Sequence, residues 1–210
     1  MSAGNAAGYH RFFDQRLIPH ALALVFSAWD QLAWQDRAAL EPQITRELAK
    51  RLQRLKQARR LPFTVECEND PLTDLPVRLD FRLLSGFDER AYFTLEAKRL
   101  YIPRDRRPDP NLDKYRKTGM LAFIEGSYAP NLPDGAMLGY VMDGNLTRAV
   151  ERLREMLLDE VHRKSLNITS GPSASRYLPG HPQVSETTHR RRPDVPGRMT
   201  IVLQHLLVAV

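Results

Sequence analysis

The chain has 210 residues, 42% hydrophobic and 27% charged, so it is long enough to bury a core and too apolar for bulk disorder. Its net charge of +6 favours an anionic partner such as nucleic acid. A single cysteine, Cys67, excludes an internal disulfide and a cysteine zinc cluster, which predicts a reducing, cytoplasmic compartment. The longest apolar run, 17–29, is interrupted by Pro19 and His20 and is too short to span a bilayer, so no membrane association is expected.

Apolar residues recur at helical spacing along the first part of the chain, which predicts a helical segment over 9–37. A second helix is predicted to begin near Glu41 and Pro42, because proline suits a first turn and an acidic residue there complements the helix dipole. Its apolar stripe follows at steps of four and three residues: Ile44, Leu48, Leu52 and Leu55. Pro62 ends this helix.

The periodicity then changes to the alternation that is typical of β-strands. Residues 61–67 predict a first strand, and residues 69–71 predict a turn after it. Segments 77–84 and 92–98 each alternate apolar with polar residues, and a turn signal at 85–90 separates them. The pattern predicts a two-stranded hairpin with one apolar face and one polar face.

The second half of the chain mixes helices, strands and loops. In chain order the pattern predicts a loop over 101–112, a helix over 111–125, a strand over 136–142, a helix over 145–164, a long loop over 165–197 and a strand over 199–210. The order αβββαβ within this series predicts an α/β fold in which helices flank a mixed central sheet. We expect one domain over 1–210, made of a helical preamble (1–40), a core (41–164), a long loop (165–197) and a closing strand (198–210).

The polar face of the predicted hairpin brings two carboxylates together. Apolar residues of the two strands share a face only if odd positions pair with odd positions. A five-residue loop puts Ser85 opposite Ala91, and therefore Asp80 opposite Glu96. Lys98 points the same way as Glu96, because it lies two residues further along the strand. We therefore expect two carboxylates, about 5 Å apart at the backbone, beside an ammonium group.

Two interpretations fit this polar face. Opposed carboxylates repel each other, and a hard divalent cation such as Mg²⁺ relieves the repulsion while it keeps water and phosphate oxygens as other ligands. Such a cation acidifies a water and neutralises charge on a phosphoryl group, while Lys98 would hold the water, help to deprotonate it or pair with the phosphate. Alternatively, the face is solvated and its charged residues form ordinary cross-strand ion pairs.

Asp80, followed by Glu96-Ala97-Lys98 at the end of the next strand, resembles the PD-(D/E)XK motif of the restriction-endonuclease-like nucleases. The order of elements over 41–143 is also similar to the core of that family. The resemblance implies a restriction-endonuclease-like fold in which Asp80 and Glu96 bind a divalent metal. It further implies that the main-chain carbonyl of Ala97 adds a metal ligand and that Lys98 assists the attacking water.

Many such nucleases also place a glutamate from the first helix at the metal, and two residues are candidates here. Glu41 lies three residues before Ile44, on the packed side, and the sequence 41–45 resembles the start of that helix in several prokaryotic members. Glu47, next to Leu48, is the other candidate. The alternative for either residue is a helix cap or a surface acid.

Further residues are candidates for nucleic-acid binding: Arg104, Arg106, Arg107, Lys114, Tyr115, Lys117, His189 and Arg190. The first six follow the Glu96 strand and would track a phosphate backbone, whereas the last two precede the closing strand. The alternatives are a solvated charged face for the first group and a mobile basic loop for the second. His205, on the apolar closing strand, is expected to be a buried, hydrogen-bonded histidine.

Stretches over 114–120, 126–128 and 135–140 resemble prokaryotic nucleases linked to defence. Together with the motif they imply a bacterial endonuclease that uses Mg²⁺, with Mn²⁺ as a substitute, to hydrolyse phosphodiester bonds of DNA. A homodimer or a larger defence or repair complex is the expected assembly. The alternative is a catalytically inactive module of the same fold that binds nucleic acid or a protein partner.

Overall fold

A computed structural model of the protein describes residues 13–67, 80–84, 92–101, 110–195 and 199–210. The helices, in chain order, are α1 (Ile18–Leu32), α2 (Glu41–Ala58), α3 (Pro110–Lys114), α4 (Leu121–Ile124), α5 (Leu146–Leu158) and α6 (Glu160–Ser165). A π-helical segment, Tyr115–Met120, joins α3 to α4. The strands are β1 (Thr64–Cys67), β2 (Phe81–Leu84), β3 (Tyr92–Leu100), β4 (Asp134–Val141), β5 (Ile168–Ala174), β6 (Val184–Arg190) and β7 (Thr200–Ala209). None of the helices in these ranges combines the length and the apolar character that a membrane crossing requires.

The strands form a seven-stranded sheet in the order β1-β2-β3-β4-β7-β6-β5. Strands β3, β4 and β7 run parallel to one another, whereas all the other neighbouring pairs are antiparallel. The helical stretch from α3 to α4 connects β3 to β4, as a parallel pair requires. The predicted α/β fold with a mixed sheet flanked by helices is confirmed.

Helices cover both faces of the sheet. On one face α1 and α2 bury residues such as Leu22 and Ile44, and the Trp29 ring stacks on Tyr140 with centroids 5.3 Å apart. On the other face the stretch from α3 to α4 packs beside α5. The central strand β4 is buried along its whole length. Polar groups on the inner strands therefore need partners within the protein.

The register predicted for the hairpin is confirmed along the described part of both strands. The pairs run from Phe81 opposite Leu95 to Leu84 opposite Tyr92, so Asp80 is the next residue in the direction of Glu96. The polar face is not solvated, however, because the second helical layer covers it, and Glu96 is only 4% exposed. The predicted turns at 69–71 and 85–90 and the start of the second strand, 77–79, lie outside the described residues.

The prediction of a long loop over 165–197 is wrong, because this segment contains β5 and β6. Strand β6 buries the polar residues Glu186, Thr187 and His189, so its burial does not show as an apolar alternation. The Glu186 carboxylate accepts hydrogen bonds from the Arg176 main-chain N–H at 2.9 Å and from the Gln204 amide at 2.9 Å. Hydrogen bonding within the interior therefore replaces the hydrophobic pattern from which strands are predicted.

The helix predicted over 145–164 is two helices, α5 and α6. The side chain of Asp159 accepts a hydrogen bond from the His162 main-chain N–H at 2.9 Å and so caps the start of α6. Asp159 itself has an extended backbone, which ends α5. A good N-cap inside an amphipathic pattern is enough to divide a helix.

Candidate active site

Two carboxylates accept hydrogen bonds from main-chain N–H groups of β3. Both bonds lie in the part of β3 that is close to the start of β2. The N–H of Ala97 donates to Asp80 Oδ2 at 2.6 Å, and the N–H of Arg99 donates to Glu41 Oε2 at 2.9 Å. Glu41 is the first residue of α2, so the beginning of this helix lies against β3. The two bonds hold carboxylates from different parts of the chain along one short stretch of β3.

Lys98 lies between these groups. Its Nζ is 2.5 Å from Glu96 Oε1 and 3.4 Å from Glu41 Oε1, and it also donates to the Ala97 carbonyl at 2.8 Å. Both glutamates contact the same ammonium, although one comes from a helix and the other from a strand. The structure therefore brings Asp80, Glu96 and Lys98 together with Glu41.

Burial and crowding of charge change the acidity of this cluster. Burial and the neighbouring Asp80 carboxylate raise the pKa of Glu96 to about 8, although Lys98 opposes the change. For Lys98 burial lowers the pKa, but the carboxylates of Glu96 and Glu41 outweigh burial and raise it above its ordinary value. Lys98 therefore stays protonated at neutral pH, and the carboxylates carry more negative charge than it compensates.

A tyrosine to which the sequence analysis assigns no role also reaches this cluster. The Tyr128 hydroxyl donates to Glu96 Oε1 at 3.5 Å, the same oxygen that Lys98 contacts. Tyr128 lies in the turn between α4 and β4, and its ring packs edge-on against Phe123. A tyrosine two residues after Gly126, in a turn after the helical stretch, is a weak signal, because the fold alone decides which strand that turn approaches.

The π-helical segment forms the wall of the site behind Glu96. A Cβ built on Gly119 would lie 2.3 Å from Met137 Cε and 3.9 Å from Glu96 Cγ, so glycine permits the close approach of this segment to β3 and β4. π-Helical turns of this kind are frequent at functional sites. The segment therefore contributes to the burial of Glu96.

The oxygen donors around Lys98 are of the kind that a hard divalent cation prefers. In the described ranges no three His, Cys, Asp or Glu side chains come close enough together to form a metal-binding group. The carboxylates of Glu41, Asp80 and Glu96 and the Ala97 carbonyl are nevertheless suitable ligands for Mg²⁺. Burial, and after it the Asp80 carboxylate, raise the pKa of Glu96, and a bound cation would oppose both effects. The kinds of donor therefore fit the metal implied by the motif, although in the described ranges they are not gathered into a metal-binding group.

Glu47, the second glutamate predicted for the metal, does not join this cluster. Its carboxylate pairs with Lys50 at 2.6 Å on the outer side of α2, where both side chains are largely exposed. The helical geometry explains the difference, because six residues along the helix correspond to a rotation of about 240°. Glu41 and Glu47 therefore face different directions.

The candidates for nucleic-acid binding divide into buried and exposed residues. Tyr115 and His189 are completely buried, so they cannot contact a nucleic acid, which corrects the prediction for both. Lys114, Lys117 and Arg190 are exposed, and Lys117 forms an ion pair with Asp113 at 2.7 Å. The three remaining candidates lie outside the described residues: Arg104, Arg106 and Arg107.

The two buried candidates belong to a hydrogen-bond chain inside the protein. His189 Nδ1 lies 2.8 Å from the Leu166 carbonyl, which can only accept, so His189 Nε2 accepts from the Thr187 hydroxyl at 2.7 Å. The Thr187 oxygen in turn accepts from His205 Nε2 at 2.7 Å. His205 Nδ1 then accepts from the Tyr115 hydroxyl at 2.9 Å. The expectation that His205 is a buried, hydrogen-bonded histidine is confirmed.

Arg191, next to the exposed Arg190, is also an interior residue. It is 1% exposed, and its guanidinium donates to the carbonyls of Phe123 at 3.1 Å, Ala129 at 2.7 Å and Leu132 at 2.9 Å. These three carbonyls flank the turn that carries Tyr128. Arg191 therefore holds this turn in place instead of facing a ligand.

No family model, curated protein or solved structure matches the chain. A functional proposal therefore rests on the residues and the geometry of the site itself.

Proposed function

We propose that this chain is a divalent-metal-dependent nuclease of the restriction-endonuclease-like type that hydrolyses phosphodiester bonds of DNA. The proposal rests on one observation, the convergence of Glu41, Asp80 and Glu96 from three separate elements around the ammonium of Lys98. Carboxylates grouped in this way supply the ligands for metal-assisted hydrolysis. The cytoplasmic setting predicted from the single cysteine, the defence role implied by the resemblance and the homodimer or larger complex stay predictions.

The residues of the site have distinct roles in this proposal. The cation would be held by Glu41, Asp80, Glu96 and the main-chain carbonyl of Ala97. When bound there, Mg²⁺ or Mn²⁺ would neutralise charge on the scissile phosphate and acidify a nearby water. Lys98 remains protonated, so its ammonium donates to the attacking water or to the phosphate and does not act as a base. Tyr128 would help to orient the Glu96 carboxylate through its hydroxyl.

Cleavage of a supercoiled plasmid by the full chain tests this proposal. We expect nicking or linearisation in the presence of Mg²⁺ or Mn²⁺ and none in the presence of EDTA. Asp80→Asn, Glu96→Gln and Lys98→Met should each lower the rate about 100-fold or more, because each removes a ligand or a donor from the reacting centre. Circular dichroism of each variant checks that it is folded.

Two glutamates on α2 offer a matched pair for the same assay. Glu41→Gln removes a charge that contacts Lys98, whereas Glu47→Gln removes one that pairs with Lys50 on the outside of the helix. We expect Glu41→Gln to lower the cleavage rate at least about 10-fold and Glu47→Gln to leave it within about twofold. Cleavage that resists EDTA, or that survives substitution of Asp80, Glu96 and Lys98, would contradict the proposal.

A second candidate function is a nuclease-like module that binds nucleic acid without cutting it. The observation in its favour is the direct contact of Lys98 with both Glu41 and Glu96, since an ion cluster satisfied in this way is a stable structural unit. This function predicts DNA binding without cleavage by any divalent cation. It also predicts that Asp80→Asn and Lys98→Met leave DNA affinity within about twofold, because neither residue would contact the bound strand.

A further inference from the structure

The outer face of α2 carries a row of positive charge. Arg46, Lys50 and Arg54 follow one another at intervals of four residues, so they lie in one line along the helix, and all three are exposed. Arg59 and Arg60, which follow the helix, are exposed as well. We call these five residues the α2 basic stripe.

The stripe has very little compensating negative charge. Lys50 pairs with Glu47 at 2.6 Å, but within the described ranges Arg46, Arg54, Arg59 and Arg60 form no ion pair. The positions three and four residues from Arg46 are Pro42, Gln43, Ala49 and Lys50, and those from Arg54 are Lys50, Arg51, Gln57 and Ala58. Neither arginine therefore has an acidic residue at the spacing that a helical ion pair requires.

This arrangement does not favour the helix by itself. Like charges four residues apart destabilise a helix, and the stripe contains two such pairs, Arg46 with Lys50 and Lys50 with Arg54. The helix dipole favours cations in the last turn, which accounts for residues near Ala58. Arg46 is the sixth of 18 residues, too far from the last turn to gain from the dipole. An anion outside the chain would compensate these repulsions.

The stripe lies on the helix that begins at the candidate active site, and its side chains are on the opposite side of this helix from Glu41. The same helix begins at Glu41, whose carboxylate contacts Lys98 and the Arg99 main chain. From Glu41 to Arg54 the helix rises about 20 Å, at 1.5 Å per residue. Along the helix axis this rise equals about six nucleotides of duplex DNA, at about 3.4 Å each.

We propose that the α2 basic stripe binds the phosphate backbone of duplex DNA and so guides the substrate to the site. The proposal rests on the proposed function for the identity of the polyanion. It differs from the sequence prediction, in which residues within 104–107, 114–117 and 189–190 supply these contacts. Binding through the stripe is electrostatic, so it is independent of base sequence and weakens with salt.

DNA affinity measured by fluorescence anisotropy in EDTA tests the stripe separately from cleavage. The probe is a labelled duplex of about 25 base pairs, titrated with the full chain at several salt concentrations between about 50 and 200 mM. The test variant is the triple substitution Arg46→Gln, Arg54→Gln and Arg59→Gln. The matched control removes the same charge from α5, on the opposite face of the sheet: Arg148→Gln, Arg152→Gln and Arg154→Gln, all exposed in the structure.

We expect the stripe variant to bind DNA at least about 10-fold more weakly at 100 mM salt and to reduce the slope of log affinity against log salt by about 2 to 3. The α5 variant should remain within about twofold of the unmodified chain. Equal weakening by both triple variants, or no DNA binding by the unmodified chain, would overturn the proposal. So would stripe-dependent binding to vesicles of anionic phospholipid with none to DNA, because the partner would then be a membrane surface.

The outcomes for the stripe and for the nuclease proposal can be told apart. Stripe-dependent DNA binding without cleavage by any divalent cation would support the stripe and contradict the nuclease function. Metal-dependent cleavage that the stripe variant performs at the full rate, with unchanged DNA affinity, would support the nuclease function and contradict the role of the stripe. The thermal midpoints of both triple variants check folding, and loss of the like-charge pairs should not lower that of the stripe variant.

Discussion

Glu96 combines deep burial with the proximity of other carboxylates, and both affect how it holds a proton. Its pKa of about 8 in the folded protein lies above the ordinary value of 4.5, so between these values the folded chain keeps a proton that the unfolded chain loses. The folded state therefore binds more protons, and the contribution of this group to stability falls as the pH rises from 4.5 to 8.

Glu96→Gln tests this assignment, because glutamine fills the same space and does not titrate. Relative to the unmodified chain, the variant should gain more than about 1 kcal/mol of unfolding free energy between pH 5 and pH 8, since one pKa unit corresponds to about 1.4 kcal/mol. Urea denaturation in EDTA at the two pH values measures the difference. Glu47→Gln, on the exposed face, is the control, and a Glu96→Gln gain that is the same at both pH values would contradict the assignment.

At the scale of single residues, strand parity carries much of the information about the site. The apolar residues on β2 and β3 require odd positions to pair with odd ones and even with even, and this restriction places Asp80 near Glu96. Glu41 is different, because its approach to β3 depends on how α2 packs across the sheet. The contribution of Tyr128 could not be predicted, since it depends on a turn held by a buried arginine from another part of the chain.

At the scale of elements, the turn between α4 and β4 depends on Arg191. Its guanidinium donates to three main-chain carbonyls, two of which also accept a local main-chain bond: Phe123 from Gly126 at 3.3 Å and Ala129 from Leu132 at 3.0 Å. Arg191→Met should lower the free energy of unfolding by about 1–3 kcal/mol, because it removes three buried hydrogen bonds to the turn. Urea denaturation of the full chain measures this change.

The neighbouring arginine is the natural control for that measurement. Arg190 is exposed, and Arg190→Gln should change the stability by less than about 0.5 kcal/mol. Equal effects of the two substitutions would contradict a special role for Arg191 in holding the turn.

Elements with apolar periodicity could be predicted from the sequence, and elements with polar interiors could not. The apolar positions of α2 and the alternation of β3 reflect burial against the hydrophobic core, so both can be predicted from hydropathy. Strand β6 buries Glu186, Thr187 and His189, and each forms a hydrogen bond to a residue outside the strand: Gln204, His205 and Leu166 respectively. Only the assembled sheet brings these partners together, which is why β5 and β6 were expected to be a loop.

At the scale of the whole molecule, two buried histidines couple stability to acid. Burial lowers the pKa of His189 to about 4 and that of His205 to about 3. The unfolded chain takes up protons on both imidazoles near pH 6.5, whereas the folded chain does not. The unfolded state therefore binds more protons, and stability falls as the pH drops below about 6.5.

We expect each buried imidazole to contribute up to about 1.4 kcal/mol of lost stability per pH unit between pH 6.5 and pH 5. Urea denaturation across this range should give a shallower pH dependence for His189→Gln than for the unmodified chain. His20→Gln, which removes an exposed histidine at the start of α1, is the control and should leave the slope unchanged. An unaltered slope for His189→Gln would show that the buried imidazole does not govern acid unfolding.

The structure shows where on the surface some of the basic residues lie. A net charge of +6 predicts an anionic partner but not a surface. Arg191, in the basic run before β7, is buried, whereas Arg46, Lys50 and Arg54 lie in one exposed line on the outer face of α2. Whether a basic residue is buried or exposed depends on the face of the helix or strand that carries it, so it cannot be predicted from counts of charge along the sequence.

The bonds from Glu41 and Asp80 to the main chain of β3 have an evolutionary consequence. Both carboxylates satisfy backbone N–H groups, so they serve the architecture whether or not any bond is cut. A descendant that had lost its chemistry would still be selected to keep them for stability. Lys98 donates to side-chain carboxylates and to a neighbouring carbonyl, and β3 can form without it. Under the proposed function, loss of Lys98 with retention of Glu41 and Asp80 among descendants of this chain would mark the point at which catalysis ended and the fold persisted.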